Sequence, residues 1–351
     1  MTLPKINSFT NWGCLEEVWL GDCYPAHFYD HLESEVRDIF YEITEKTQED
    51  LTVIQRKLEE FGVQVRRPQY DRIENFLEHP THPTSAGQLR KPMITPRDHF
   101  LVFGNTLYGH PWFHRPWADA VAEYSQDPAS LIFNRPNVPA VTHICGANTV
   151  RAGRDLYLDT HWNEGDIDVE YVQQTFKDYR LHVLNNGGHV DACFAVIKPG
   201  VLLTSEYFSD YERTFPGWDC INISQPEFSK HTLAWRKGPV SNGKWYLPSI
   251  VESAKFNDHV IKHAQDWVGD YTETYFEVNC LVIDEHNVLM VGENEGVFRE
   301  LEKHGVTAHA MPFRTRTFWD GGLHCITLDI RRQDTKIDLF PDRGDQKLFV
   351  Y

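Results

Sequence analysis

The sequence predicts an α/β protein assembled from five strand–strand–helix–strand (ββαβ) units. Three observations point to it. β-rich apolar runs come in pairs joined by short turn segments. A stretch with apolar residues at helical spacing follows each pair. A further extended run then closes the unit, bounded by Gly, Pro, Asn or Asp. The units differ in length, so they are not a tandem array of identical repeats.

In chain order, the first unit has EEVWLG, then a long helix with Leu51, Ile54, Leu58 and Phe61 on one face, then VQVRRP. The second opens near Asp98 with HFLVFGN and TLYGH, followed by the helical WADAVAEY. The third runs from Thr149: TVRAG, the Arg154-Asp155 turn, LYLD, a helix through Val169, Val172 and Phe176, then LHVLN. The fourth starts at His189 with VDACFAVI, the turn KPG, VLLTS, a short helix around Tyr207–Thr214, and WDCINI. The fifth is the clearest: EVNCLVID from Glu277, the turn EHN, VLMVG, a helix stopped by Gly305, and VTAHAM. Closed around an axis, five such units would remove most free sheet edges and leave a central channel; an open α/β sheet fits the pattern as well. Tyr70–Thr95, Gln126–Ala140 and Gln225–Ser253 are rich in Pro, His, Ser and Asn and read as long loops, the usual carriers of specificity.

Composition narrows the partners. A formal net charge of −17 argues against nucleic acid, which needs clustered Lys and Arg to displace counterions, and is compatible with a cationic substrate. The seven cysteines are widely spaced, odd in number and lack a CxxC pair, which predicts reduced thiols in a cytoplasmic protein. No apolar run approaches the roughly 20 residues needed to span a bilayer, and MTLPKINSFTNWG has no apolar core of a signal peptide, so no membrane association is expected.

Three segments combine reactive residues with turn residues. GGHVDACF places His189, Asp191 and Cys193 at alternate positions, on one face if the segment is a strand. GGLHCITLD leads through two glycines to His324 and Cys325, where bare backbone would let a ligand come close. TPRDHFLVFGN opens a strand at Asp98. Taken singly, each has an ordinary structural explanation: a buried thiol, a hydrogen-bonded His-x-Asp pair, a turn-capping Asp. HExxH, P-loop and helix-opening GxGxxG motifs are missing, and the histidines lack zinc-like spacing. A metal on His189, Asp191, Cys193 and Cys325 is the weaker reading, because a catalytic thiol explains the same residues with fewer assumptions.

Together these residues carry a resemblance. NWGCLEEVWLG, PRDHFLVFGN, VRAGRDLYL, GGHVDACFAVIKPGVLLTS, FEVNCLVID and GGLHCITLDIRR, in this order and spread over most of the chain, resemble the glycine amidinotransferase-type enzymes of the guanidino-group-modifying superfamily. The resemblance implies a single domain over 1–351 folded as a five-bladed α/β-propeller with pseudo-five-fold symmetry. It also implies transfer of an amidino group from a guanidino donor such as L-arginine to an amine acceptor, with no cofactor and no metal. It puts the nucleophile at Cys325, the acid–base group at His189 and the guanidinium-binding carboxylates at Asp98 and Asp191, with Asn279, Phe208 and Glu273 at further substrate-contacting positions. A homodimer is the assembly it suggests.

The sequence departs from the family at three places. The Asp that partners the catalytic His is replaced by Cys145 in HICGANTVRAGRD, with no carboxylate between Asp127 and Asp155. The Arg and Ser that hold a donor α-carboxylate fall at Phe208 and Glu273, with Arg213 near enough to substitute. The Cys145 departure implies that His189 lacks its usual orienting group, and those at Phe208 and Glu273 imply a donor or acceptor without a free carboxylate. They also keep two rivals open: a guanidino hydrolase of the deiminase or dihydrolase type, and a guanidine-binding protein that has lost turnover.

Overall fold

The computed structural model describes residues 4–70, 91–109, 111, 113–134, 144–159, 169–185, 189–205, 210–223, 240–241, 244–245, 253–268 and 277–351. Its strands, in chain order, are β1 (Cys14–Leu20), β2 (Gln64–Arg66), β3 (Phe100–Phe103), β4 (Thr106–Gly109), β5 (Leu131–Asn134), β6 (Thr149–Ala152), β7 (Asp155–Asp159) and β8 (Arg180–Leu184). They continue with β9 (Phe194–Lys198), β10 (Val201–Thr204), β11 (Asp219–Asn222), β12 (Val240–Ser241), β13 (Lys244–Trp245), β14 (Leu281–Asp284), β15 (Asn287–Val291), β16 (Thr307–Met311), β17 (Thr327–Gln333) and β18 (Leu348–Val350).

Apart from the two-stranded β12–β13 ribbon, the strands form five small sheets, ordered β17-β1-β2, β3-β4-β5, β18-β8-β7-β6, β11-β10-β9 and β14-β15-β16. Each repeats one arrangement: an antiparallel pair extended by a parallel strand that returns after a helix. The fold is therefore mixed α/β, as the repeated units predict. Two pairings go beyond the local pattern. The first sheet takes its antiparallel partner from the far end of the chain, Val18 facing Asp329 and Trp19 facing Leu328. The third sheet gains a fourth strand, β18, parallel to β8.

Local chemistry accounts for the elements. Helix Ser34–Glu60 buries Val36, Phe40, Ile43, Leu51, Ile54 and Leu58 at spacings of three, four, seven and eight, the apolar stripe of an amphipathic helix. It stops at Gly62, whose φ of +80° ends the turn while the Val63 amide returns to the Leu58 carbonyl. Helix Glu295–Lys303 starts at Asn294, whose side chain accepts the Val297 N–H, and ends before Gly305 at φ +71°. The sheets bury their apolar faces in four clusters, the largest joining β1, β14 and β15 to helices Ser34–Glu60 and Ala254–His263.

Two polar clusters are sealed among these layers. In the first, Arg97, Arg151 and Arg332 converge on Asp329, all four essentially inaccessible to solvent. Asp329 is held well below the usual carboxylate range by the three guanidiniums, which outweigh its burial. In the second, Asp155 receives Arg180 and Arg343 and the ring of His182, whose other nitrogen meets Tyr351 Oη at 2.9 Å. This cluster pins β18 to the third sheet.

Burial pushes the His182 pKa down to about 4, against the pull of Asp155. The unfolded chain, with an ordinary His value near 6.5, binds a proton over that range and the folded chain does not. Stability is thus full above about pH 6.5 and falls as the pH drops toward 4, by on the order of 1.4 kcal/mol per pH unit from this one group. Chemical denaturation at pH 7 and pH 5 should show this loss, and it should be smaller in a His182→Gln variant.

Among the described residues, no helix is long and apolar enough to cross a membrane.

Candidate active site

Each of the five sheets contributes to the site from an equivalent place, the turn just before the outer strand of its antiparallel pair. Asp98 precedes β3, Cys145 and Asn148 precede β6, His189 and Asp191 precede β9, Asn279 precedes β14, and His324 and Cys325 precede β17. Each of these strands is an edge of its sheet. Their preceding turns are bonded across units: the Gly146 amide donates to the carbonyls of Arg97 and Phe100, and the Asp191 amide to Ala147 O. The His324 amide likewise donates to Asn279 O.

These turns correct the sequence reading at two segments. His189 and Asp191 do not lie on a strand: Val190–Ala192 is one turn of 3-10 helix, and the strand starts at Phe194. Asp98 likewise ends a 3-10 turn, Pro96–Asp98, ahead of β3. In both, i→i+3 backbone bonds replace ladder bonds, and the tertiary bond from the Asp191 amide completes the set. The Gly-Gly turn also serves a different purpose. A Cβ on Gly322 would lie 2.7 Å from Asn279 O, and one on Gly321 would lie 2.7 Å from the Cβ of Cys325. The missing side chains make room for protein, letting the Cys325 turn seat on Asn279.

Cys325 is buried, and its environment is polar. Asn279 grips it twice: Oδ1 accepts the Cys325 amide at 2.9 Å and Nδ2 donates to Sγ at 2.9 Å. Asp191 Oδ2 lies 3.5 Å from Sγ and 2.8 Å from His324 Nδ1. Two carboxylate oxygens in the site, Asp98 Oδ1 and Asp191 Oδ1, are sealed from solvent and have no hydrogen-bond partner among the described residues. A buried carboxylate oxygen without a donor costs free energy, so such a pair marks a place for a cationic hydrogen-bond donor.

The electrostatics agree. Burial raises Asp98, with Asp191 adding to the effect against the charges of His189 and Lys91. Asp191 sits below the ordinary value: burial opposes this, but the His324 hydrogen bond and the nearby His189 and Arg97 charges win. Burial, then Asp191 and Asp98, push the Cys325 thiol well above its usual value despite Asn279. Cys145 is buried beside the same carboxylates and is pushed up to about 12, first by burial and then by Asp98; its Sγ donates to Asn148 Oδ1 at 3.3 Å.

The structure thus brings together Asp98, Cys145, His189, Asp191, Asn279 and Cys325. Phe208 and Glu273 lie outside the described residues. Arg213, the suggested substitute, is exposed and engaged with Asp210, the Val350 carbonyl and the Tyr351 ring. The sequence reading gave no site role to Arg97 or His324. Arg97 Nε donates to His324 O at 2.8 Å and Thr327 O at 3.0 Å, tying the Asp98 turn to the Cys325 turn. The signal was in PRD and LDIRR, whose charges pair with one another in the core.

No family model matches the chain. Known proteins do. The L-arginine:L-lysine amidinotransferase of Pseudomonas savastanoi pv. phaseolicola is 22% identical over 379 residues, covering 93% of this chain and 94% of the relative. Inosamine-phosphate amidinotransferase 1 of Streptomyces glaucescens is 23% identical over 318 residues, covering 83% of this chain and 81% of the relative. Among solved structures, SxtG, an amidinotransferase from Microseira wollei in the saxitoxin biosynthetic pathway, shares the fold. Its TM-score is 0.69 at 21% identity, with 96% of this chain and all of that chain covered. The chain thus resembles amidinotransferases over most of its length, and these relatives support reading it as an amidinotransferase enzyme.

Proposed function

We propose that the protein transfers an amidino group from a guanidino donor to an amine acceptor, with Cys325 carrying the group between the two half-reactions. The observation that carries this reading is the pair of sealed oxygens on Asp98 and Asp191, without a partner among the described residues, beside the Cys325 thiol. A guanidinium offers planar N–H pairs that match two carboxylates, and its carbon, held between them, faces the sulfur.

The raised thiol gives the sequence of events its logic. With the site free of a cation, two carboxylates disfavour a thiolate. A bound guanidinium offsets their charge, so the nucleophile forms when the substrate is in place. The thiol proton passes to His189, Sγ attacks the guanidino carbon, the C–N bond breaks, and His189 returns that proton to the departing amine, leaving an amidino-thioether on Cys325. An acceptor amine then attacks the same carbon, His189 takes its proton, and the C–S bond breaks to return the thiolate. Asn279 holds Cys325 in line through both steps. The five sheets, each supplying its pre-strand turn, support the reading that the units close about one axis as a five-bladed propeller.

Two results follow. Burial raises Asp98, and a bound cation would lower it again. Donor binding should therefore release protons and weaken as the pH falls. Calorimetry in buffers of different ionisation heat checks this, and binding heats that do not change with buffer would count against it. The second concerns the donor. With Phe208 and Glu273 where the family holds a carboxylate, guanidines without a free carboxylate, such as agmatine, should be turned over at least as well as arginine; a strong preference for arginine would refute that. Transfer is distinguished from hydrolysis by its products: the amine product should need added acceptor, whereas urea or citrulline with water alone would indicate a hydrolase.

A further inference from the structure

We propose that His324 is a positioning residue, which fixes the plane of the Asp191 carboxylate so that one oxygen faces the guanidinium. This rests on the amidino-transfer reading of the site and adds a residue to it.

Three polar handles of His324 are engaged. Its amide donates to Asn279 O at 3.2 Å, its carbonyl accepts from Arg97 Nε at 2.8 Å, and Nδ1 meets Asp191 Oδ2 at 2.8 Å. The backbone on the other side is equally constrained, with the Asp191 amide on Ala147 O and its carbonyl accepting from Asn279 Nδ2 at 3.4 Å. What remains soft at Asp191 is the terminal torsion of the carboxylate, which has a broad, two-fold profile and no sharp rotamer of its own. The His324 bond fixes that torsion. Oδ2 is occupied by His324 and lies near Cys325 Sγ, and Oδ1 is left buried without a partner among the described residues.

The charge state suits the role. Burial, with Arg97, pushes His324 down to about 4, so at neutral pH the ring is an uncharged N–H donor. A charged ring would satisfy Asp191 by itself and compete with the substrate cation. The groups facing Asp191 are His324 and Cys325 from the turn before β17, Arg97 and Asp98 from the turn before β3, Cys145 from the turn before β6, and His189 from its own turn.

The test compares His324→Asn with His324→Gln. An Asn amide nitrogen superimposes on Nδ1 and can still donate to Asp191; a Gln amide nitrogen superimposes on Nε2 and cannot without moving. Each variant, checked for a wild-type thermal midpoint, is assayed with arginine and agmatine as donors for KM, kcat and the acid limb of kcat/KM. The Gln variant should raise the donor KM about ten- to hundredfold, the scale of a misplaced substrate-holding group. Its acid limb should move to higher pH, because Asp191 loses the bond that holds it low. The Asn variant should stay within a few-fold of wild type on both. A Gln variant with wild-type KM and acid limb overturns the proposal, and so does an Asn variant as impaired as the Gln one. If the Gln variant does not fold, the Asn variant decides: wild-type KM supports positioning and a raised KM overturns it. Failure of the underlying reading looks different, because wild-type protein would then form no amidino adduct on Cys325 with any donor.

Discussion

Cys325→Ala is expected to abolish amidino transfer, lowering kcat by about ten-thousand-fold or more, the scale of losing a covalent nucleophile. The same change should leave the fold nearly intact. The sulfur fills little volume, and the main loss is the partner of Asn279 Nδ2, worth about 1 kcal/mol. The Cys325 amide would still donate to Asn279 Oδ1, so the turn stays seated. Steady-state rates and thermal unfolding on the same preparation separate the two effects. Cys145→Ala is the control: it is buried beside the same carboxylates but bonded to Asn148, and the account assigns it no covalent step.

The second large effect is on stability. Asp329→Ala would strand three buried guanidiniums, Arg97, Arg151 and Arg332, with no carboxylate between them. Removing one partner of a buried ion pair costs about 3–5 kcal/mol, and here three like charges are left facing one another. That is comparable to the whole stability of a typical domain, about 5–15 kcal/mol, so little folded protein is expected. Asp329→Asn keeps one acceptor oxygen and the shape, and should fold with a lowered denaturation midpoint. Arg97 also holds the Cys325 turn through the His324 and Thr327 carbonyls, so the Asn variant should lose activity even where it is folded. Denaturant unfolding and rates per folded molecule check both statements.

How much of this was legible beforehand varies with the range of the interaction. The ββαβ repetition was readable because turn residues, helical spacing and β-rich runs are local signals. The exact start of a strand was not. VDACFAVI is one continuous β-rich run, yet Val190–Ala192 turns because the amides of Asp191, Ala192 and Cys193 bond to the carbonyls of Ala147, His189 and Val190 instead of to a neighbouring strand. β18 was missed for a similar reason: its three residues have meaning only against β8 and the Asp155 cluster. The pairing of β1 with β17, across the length of the chain, has no local signature at all.

At the site, Asp98, His189, Asp191 and Cys325 came from the resemblance, since each alone reads as an ordinary buried or capping residue. The structure puts Asp98, Asp191 and Cys325 into one electrostatic unit, with His189 acting on both carboxylates. His324 was in view beside Cys325, but its partner lies 133 positions away, a distance no spacing argument crosses. Asn279, expected among the substrate-contacting residues, commits both its amide atoms to Cys325.

The central claim is the covalent amidino group on Cys325. Wild-type protein and Cys325→Ala, each incubated with arginine and with agmatine in the absence of acceptor, should be examined by intact-protein mass spectrometry with peptide mapping. The account predicts a mass gain of one amidino group on the peptide containing Cys325, lost when an acceptor amine is added and never formed in the Ala variant. An adduct on another residue, or product formed by the Ala variant at the wild-type rate, would contradict it.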